Sequence, residues 1–465
     1  MLDHFRINDP YRLISLLLLL SIAALPWLID SPAMTLQELK GAVLGERIWS
    51  KFMYSGIIDH TAPLQAVMEG VMNFLFGRSI LARHMLALFI IFFQASFFAI
   101  LLIQNKAYNE NTYVPSLLFG FLCLFSFDVL ALTPELFAST LLLMALNNVF
   151  KEVEFRVERD AVVLNLGVFI GLASLFVFSY TVFLFGVVFI LVAFARADVR
   201  KISLLFFGYA LMHAIVFTFY YFHDRTGDLW SHFYLAQFGQ SREFLLSTKA
   251  LLILAAIPLG YFVISLLMLT RAARFTRYQS QLFQVLLIWM IVAIIELFLA
   301  RVITPHSFLT FIPPLAYFIS HYLLVIRRRR IAEFMLSVFL IGLMTVSLAA
   351  YYKKITGIDY GELFPKTSPY EGRITGKRVM VVGEDMALYK ANSMGGCFLD
   401  WNLSRRYFEE PDAYANIIRV HDSFTRDAPD VIIDEAGLMG PFLERIPSVK
   451  KSYRKEGAIY WRVSN

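Results

Sequence analysis

The chain has 465 residues, is 58% hydrophobic and only 17% charged, and carries a formal net charge of +6. With a mean hydropathy of +0.62, this composition excludes an ordinary soluble globular protein and places the chain among multi-span membrane proteins. The positive charge lies in short loops between apolar stretches, so it reports membrane orientation and contact with anionic lipid headgroups, not nucleic-acid binding. Only two cysteines are present, Cys123 in an apolar stretch and Cys397 far from it, which argues against a disulfide or a thiolate metal site.

In chain order, about eleven apolar stretches are long enough to cross a bilayer: 11–29, 82–103, 112–131, 134–150, 161–177, 178–195, 202–222, 249–270, 281–300, 306–326 and 331–350. The first is too long for a signal-peptide core and no small-residue cleavage site follows it, so it reads as a retained span. Loops of one parity carry Arg6/Arg12, Lys106, Lys151/Arg156/Arg159, Arg196/Arg200/Lys201, Arg271/Arg274/Arg277 and Arg327 to Arg330. The positive-inside rule then puts the N-terminus in the cytoplasm. Fusing 161–195 into one tilted helix would move the later arginine loops to the other side, so two spans are expected there. An odd number of spans in the plasma (inner) membrane leaves the loop 30–81 and the C-terminal region extracytoplasmic.

The expected fold class is thus a polytopic α-helical membrane protein with a small C-terminal α/β extracytoplasmic domain. Residues 1–350 form the multi-span domain, 351–375 a linker and 376–465 the outer domain. Within the loop 30–81, Leu36, Leu39, Val43 and Ile48 recur at near-helical spacing between polar residues, as in an amphipathic helix lying on the membrane surface. A second helix is expected after Pro63, carrying Leu64, Val67, Val71, Phe74 and Leu75. In the outer domain, 378–382, 430–434 and 458–463 read as strands. Gly383 is the lone glycine after the first of them, so the dinucleotide-binding fingerprint is missing.

Ionisable side chains at span ends are costly to place and so draw attention. Asp128, Glu135, Glu296, Arg301 and His306 fall at one expected depth, with Glu38, Asp59 and His60 in the first outer loop and His223, Asp224 and Arg225 in a later one. His213, deeper in its span, fits a hydrogen-bonded core histidine. Singly, each of the others fits the ordinary collection of charge where spans meet water. Together they supply what is needed to hold an anionic lipid phosphate and deprotonate a hydroxyl beside it.

The run Tyr54-Ser-Gly-Ile-Ile-Asp-His-Thr-Ala-Pro-Leu64, then Phe76-Gly-Arg-Ser and Ala82-Arg83, resembles the first loop of GT-C membrane glycosyltransferases of the protein mannosyltransferase and aminoarabinose transferase group. Thr133-Pro-Glu135 and His306-Ser-Phe-Leu-Thr-Phe-Ile-Pro-Pro-Leu-Ala316 are also similar to that group. The resemblance implies transfer of a sugar from a polyprenyl-phosphate-linked donor to an acceptor on the outer face. It implies an acidic residue of the first loop as base or acceptor-positioning group, with Glu38 expected as the catalytic base, Asp59 and His60 binding acceptor or sugar, and Glu135 a further substrate-binding residue. Arg301 and His306 would stabilise the departing lipid phosphate, and single displacement would invert the anomeric centre. Two departures stand out. The family's Asp-Glu pair is Gln37-Glu38 here, with Asp30 as the other acidic candidate, and its Pro-Pro-Leu element is Ala62-Pro63-Leu64. A neutral amide orients a hydroxyl but cannot take its proton.

No cofactor is expected, and divalent-metal dependence stays open because scattered carboxylates do not define a metal site. Expected partners are membrane lipids, the polyprenyl-phosphate-linked sugar and envelope proteins docking on the C-terminal domain. The alternative is a non-catalytic GT-C-like scaffold or lipid-binding subunit of a cell-envelope assembly. A transporter or flippase is disfavoured, since there is no hydropathy repeat and no matched pair of glycine-broken spans.

Overall fold

The computed structural model describes residues 1–30, 34–155, 160–238, 242–272 and 275–463. Arg156, Arg159 and Arg274, used above for orientation, lie outside the described residues, as does Pro32. The chain divides into two compact units. One comprises Met1–Pro32, Ile80–Val216 and Ser241–Tyr360; the other comprises Ala33–Ser79, Phe217–Gln240 and Gly361–Asn465. The loop expected as a membrane-surface platform therefore belongs to the same unit as the C-terminal region.

The first unit is helical. Among the described residues, nine helices are long and apolar enough to cross a membrane: Arg12–Ile29, Ile80–Gln104, Pro134–Val153, Phe178–Ala195, Val199–Tyr221, Thr248–Thr270, Arg277–Leu299, Pro305–Val325 and Arg329–Tyr351. Two shorter apolar helices, Val114–Cys123 and Asp160–Ser174, occupy the other two stretches expected as spans. The stretch 161–195 is indeed broken: Asp160–Ser174 ends before the 3₁₀ turn Phe178–Thr181 that leads into the next helix. Asp160–Ser174 packs closely on Val199–Tyr221 through small residues, as helices in lipid favour. A Cβ at Gly167 would lie 2.1 Å from the Leu205 carbonyl oxygen, and one at Gly208 would lie 2.4 Å from that of Leu164. Two short parallel strands, β1 (Glu243–Phe244) and β2 (Val302–Ile303), complete this unit.

The second unit is α/β. Five strands, β3 (Arg378–Val382), β4 (Ser393–Met394), β5 (Val431–Asp434), β6 (Tyr453–Glu456) and β7 (Ile459–Arg462), form one mixed sheet in the order β4-β3-β5-β7-β6. β3 runs parallel to β4 and β5, while β7 is antiparallel to β5 and β6. Its core gathers Met380, Val382, Ile432, Phe408, Phe424 and Phe442, with Ile58 of the segment 33–79 among them.

That segment supplies two helices, Leu36–Arg47 and Pro63–Phe76. The first starts at a capping box: Glu38 N bonds the Thr35 side chain at 3.2 Å, and the Glu38 carboxylate accepts from Thr35 N at 2.9 Å. Its apolar positions Leu39, Ala42, Val43 and Leu44 are buried within the protein. The helix meets its partner through Gly41 and Gly45: a Cβ at Gly45 would come within 2.4 Å of the Glu69 carbonyl oxygen. We expect Gly45→Ala to force the two helices apart and to cost about 1–3 kcal/mol, read as a lower melting temperature and faster proteolysis of this unit.

Candidate functional site

Within the second unit, the segment 33–79 is stitched to the C-terminal region by main-chain and side-chain bonds. Ile58 pairs with Phe398 in a parallel bridge, with Ile58 N donating to the Cys397 carbonyl at 2.6 Å and Asp400 N donating to that of Ile58 at 3.1 Å. Arg47 donates to the carbonyls of Met394 and Gly396 and to the Asp427 carboxylate. Arg78 binds Glu46 at 2.5 Å and the carbonyls of Tyr389 and Lys390 at 2.7 and 2.9 Å. Tyr54 turns the chain in the left-handed region (φ 70°) and holds the loop with its hydroxyl on the Thr61 carbonyl at 2.7 Å. Backbone in that region costs a non-glycine residue energy and persists only when its surroundings fix it.

Two residues on from the bridge on both strands, His60 and Asp400 come side by side. His60 Nδ1 lies 2.5 Å from Asp400 Oδ2 and 3.4 Å from Asp59 Oδ1. Lys40, one turn along the helix that Glu38 and Thr35 initiate, puts its Nζ 2.6 Å from Asp59 Oδ1 and 3.2 Å from Asp400 Oδ2. Asp59 is fully buried and also accepts from the Thr61 hydroxyl. Asp400 caps the helix Trp401–Glu409 through Leu403 N at 3.1 Å. Burial pushes the Asp400 carboxyl upward, but the Lys40 ammonium and the His60 bond outweigh it and hold the group well below the usual carboxylate range. Burial likewise pushes Lys40 down, and the two aspartates outweigh it, so its ammonium is held above the ordinary lysine value.

Because the folded Asp400 titrates below its unfolded value of about 3.9, the stability it confers is present above that value and lost as pH falls through the folded one. The melting temperature of this unit should therefore hold between about pH 7 and 5 and drop below roughly pH 4. Asp400→Asn should flatten that acid limb.

Asp59, His60 and Asp400 offer metal-type ligand atoms within 4.8 Å of one another. They do not fit a divalent ion with Lys40 in place, since its ammonium already bridges both carboxylates and His60 Nδ1 is committed to Asp400. Chelator treatment is accordingly expected to leave the melting temperature of the wild-type protein unchanged.

The same unit carries an open cleft of about 590 Å³, whose walls include Lys51, Phe52, Arg225, Arg419, Asp422 and Arg426. Of the later loop residues singled out in the sequence, Arg225 lines it, while His223 packs on Phe52 at 5.0 Å between ring centroids.

In the membrane unit, Pro305 opens the 3₁₀ turn that carries His306. His306 Nδ1 lies 3.0 Å from Thr133 Oγ1 and its Nε2 lies 3.5 Å from Asp128 Oδ2. Asp128 in turn accepts from Ser126 at 2.5 Å, and Ser126 lies 3.3 Å from the Tyr360 hydroxyl. Both ring nitrogens of His306 are thus used to brace the segment 126–133. Glu135 sits in the first turn of Pro134–Phe155, where the helix dipole favours an acid. Glu296, 1% exposed, accepts from Ser179 at 2.6 Å. Arg301 follows the helix Arg277–Leu299, and its carbonyl accepts from Glu243 N at 2.9 Å next to the β1–β2 pair. Its Nε and Nη1 are buried and have no hydrogen-bond partner among the described residues. Buried guanidinium donors left unpaired are costly and suit an acceptor that arrives from outside, such as a phosphate.

The site residues thus fall into two groups: Glu135, Arg301 and His306 with Asp128 and Glu296 in one unit, and Glu38, Asp59 and His60 in the other. Sequence reasoning missed Lys40 and Asp400. Asp400, directly before a helical pattern, carried the signal of an N-cap.

No family model matches the chain, and no curated protein matches it. Among solved structures it is similar to ArnT from Cupriavidus metallidurans bound to undecaprenyl phosphate, with a TM-score of 0.56 at 13% identity, over 96% of this chain and 98% of that one. It is similar to the same protein in the apo state, with a TM-score of 0.56 at 15% identity, over 95% of this chain and 96% of that one. The Archaeoglobus fulgidus oligosaccharyltransferase in the apo form gives a TM-score of 0.48 at 12% identity, over 95% of this chain and 73% of its own length. With ArnT matched along nearly the whole of both chains, this protein has the GT-C fold of membrane glycosyltransferases.

Proposed function

We propose that the protein is an integral membrane glycosyltransferase that moves a sugar from a polyprenyl-phosphate-linked donor to an acceptor hydroxyl on the outer face of the plasma membrane. In this reading the N-terminus is cytoplasmic and the second unit is extracytoplasmic. The observation that carries it is Arg301, whose buried, unpartnered N–H donors match the oxygens of a phosphate. The ArnT neighbour, crystallised with undecaprenyl phosphate, supports the class of donor.

In the reaction the acceptor oxygen attacks the anomeric carbon from the face opposite the phosphate, so the anomeric centre inverts. The bond from that carbon to the phosphate oxygen breaks, and the electron pair leaves with the lipid phosphate. Charge on the phosphate grows in the transition state, and Arg301 stabilises it there. His306, braced by Asp128 and Thr133, fixes the neighbouring backbone. Glu135 and Asp59 serve the sugar and acceptor side. The proton of the acceptor hydroxyl passes to a base of the segment 33–79, for which Glu38 and His60 are the candidates.

The test is direct binding to delipidated protein in detergent. Undecaprenyl phosphate should raise the melting temperature in a dose-dependent way, as any ligand that prefers the folded state must. A saturated C55 alcohol lacking the phosphate should not. A non-catalytic scaffold that ignores such lipids would show no shift with either.

A further inference from the structure

We propose that His60 is the general base that takes the acceptor proton, with Asp400 as its positioning residue. The proposal rests on the glycosyltransferase reading above and names the residue that does its proton transfer.

Glu38 is poorly placed for the task. Its Oε2 accepts from both the main-chain nitrogen and the hydroxyl of Thr35 at 2.9 Å, and it is 4% exposed. Taking a proton there would break the capping box that starts its helix. Asp59 is fully buried, bound by the Thr61 hydroxyl and 2.6 Å from the Lys40 ammonium, so its carboxylate is already committed.

His60 differs in each respect. Its side chain is 20% exposed, so it reaches solvent. Asp400 is ionised and can only accept, so the 2.5 Å contact means that His60 Nδ1 carries the proton and donates it. In the neutral imidazole this leaves the lone pair on Nε2, with no partner among the described residues. A carboxylate fixing tautomer and ring orientation is the arrangement by which histidine becomes an effective base. Asp59 Oδ1 at 3.4 Å and Asp400 Oδ2 at 2.5 Å flank the ring at Nδ1, and the Lys40 ammonium bridges the two carboxylates.

The acceptor O–H bond breaks and its proton goes to His60 Nε2. The oxygen bonds the anomeric carbon, and the carbon–oxygen bond to phosphate yields its pair to the lipid phosphate. His60 then returns its proton to water.

Two measurements on the full-length protein in detergent test this. The first is carbethoxylation of His60 by diethyl pyrocarbonate, followed by peptide mass spectrometry across pH. Wild type should react at Nε2 near neutral pH. Asp400→Asn should shift the pH profile and slow the reaction several-fold, and Asp400→Glu should restore it. A purely structural Asp400 would leave the profile in place.

The second is mass spectrometry of lipids co-purified from expressing cells. Wild type should carry mostly bare polyprenyl phosphate. His60→Gln should shift the ratio of sugar-loaded to bare lipid by roughly 100-fold, in keeping with the usual worth of a general base. His421→Gln, at an exposed histidine of the same unit, should match wild type. An unchanged ratio in His60→Gln, or a carbethoxylation profile indifferent to Asp400→Asn, overturns the assignment. If neither loaded nor bare lipid is found in any preparation, the glycosyltransferase reading fails and the base assignment falls with it. If lipid is present and only the ratio is unmoved, the base assignment alone is wrong.

Discussion

Arg301→Ala is expected to weaken binding of undecaprenyl phosphate by about 10- to 100-fold. The two buried donors, Nε and Nη1, have no hydrogen-bond partner among the described residues, so in the unliganded protein they represent an unmet demand. Hydrogen bonds to charged groups are worth about 1.5–3 kcal/mol each, and about 1.4 kcal/mol is tenfold in affinity. Removing the side chain takes both away and also removes the positive charge. Arg301→Lys should recover only part of the loss, because a point ammonium cannot reproduce the paired geometry of a guanidinium on phosphate oxygens. The fold should survive, since Arg301 contributes to its surroundings chiefly through its carbonyl, which alanine retains. Titration of delipidated variants with the lipid, followed by melting temperature, reads the change directly. Equal affinity in wild type and Arg301→Ala would remove the phosphate-binding assignment.

The second large effect concerns stability. Lys40→Met leaves the fully buried Asp59 and the nearly buried Asp400 facing each other without their shared cation. Deleting one partner of a buried ion pair costs about 3–5 kcal/mol, because the remaining charge stays desolvated. The expected result is loss of the bridge between the segment 33–79 and the C-terminal region, seen as rapid proteolysis near Ile58 and around Asp400. Because Asp59 and Lys40 share this interaction, the double variant K40M/D59N should recover much of the loss and not add to it. Additive losses would show that the ammonium and Asp59 act independently.

The membrane spans were legible because twenty apolar residues in a row have few other uses in a chain of this composition. The strands Arg378–Val382, Val431–Asp434 and Ile459–Arg462 were legible for a similar reason, as short β-branched or aromatic runs between turn residues. Ser393–Met394 is only two residues long, and Tyr453–Glu456 is an edge strand of sequence Tyr-Arg-Lys-Glu, so neither carries an alternating apolar signal. The helix Leu36–Arg47 was anticipated, but its Gly41 and Gly45 contact with Glu69 was not. An apolar stripe specifies burial without saying whether lipid or protein covers it.

The site shows the same limit more sharply. Glu38, Asp59 and His60 could be picked out along the chain because their residue types suit the chemistry. Asp400 stands 340 positions from His60 and 360 from Lys40, and only the pairing of Ile58 with Phe398 brings it to them. A lysine on a helix surface gave no hint that it would neutralise two aspartates. In the membrane unit, Arg301 was picked out from its place at the end of an apolar stretch, whereas the use of both His306 nitrogens on Asp128 and Thr133 depended on packing between separate helices.

The measurement that bears most directly on the proposed donor site is native mass spectrometry of the purified wild-type protein beside Arg301→Ala. A polyprenyl phosphate bound to wild type and lost from the variant is the expected result. Wild-type protein that retains no such lipid, or a variant that retains it equally, would contradict a lipid-phosphate site at Arg301.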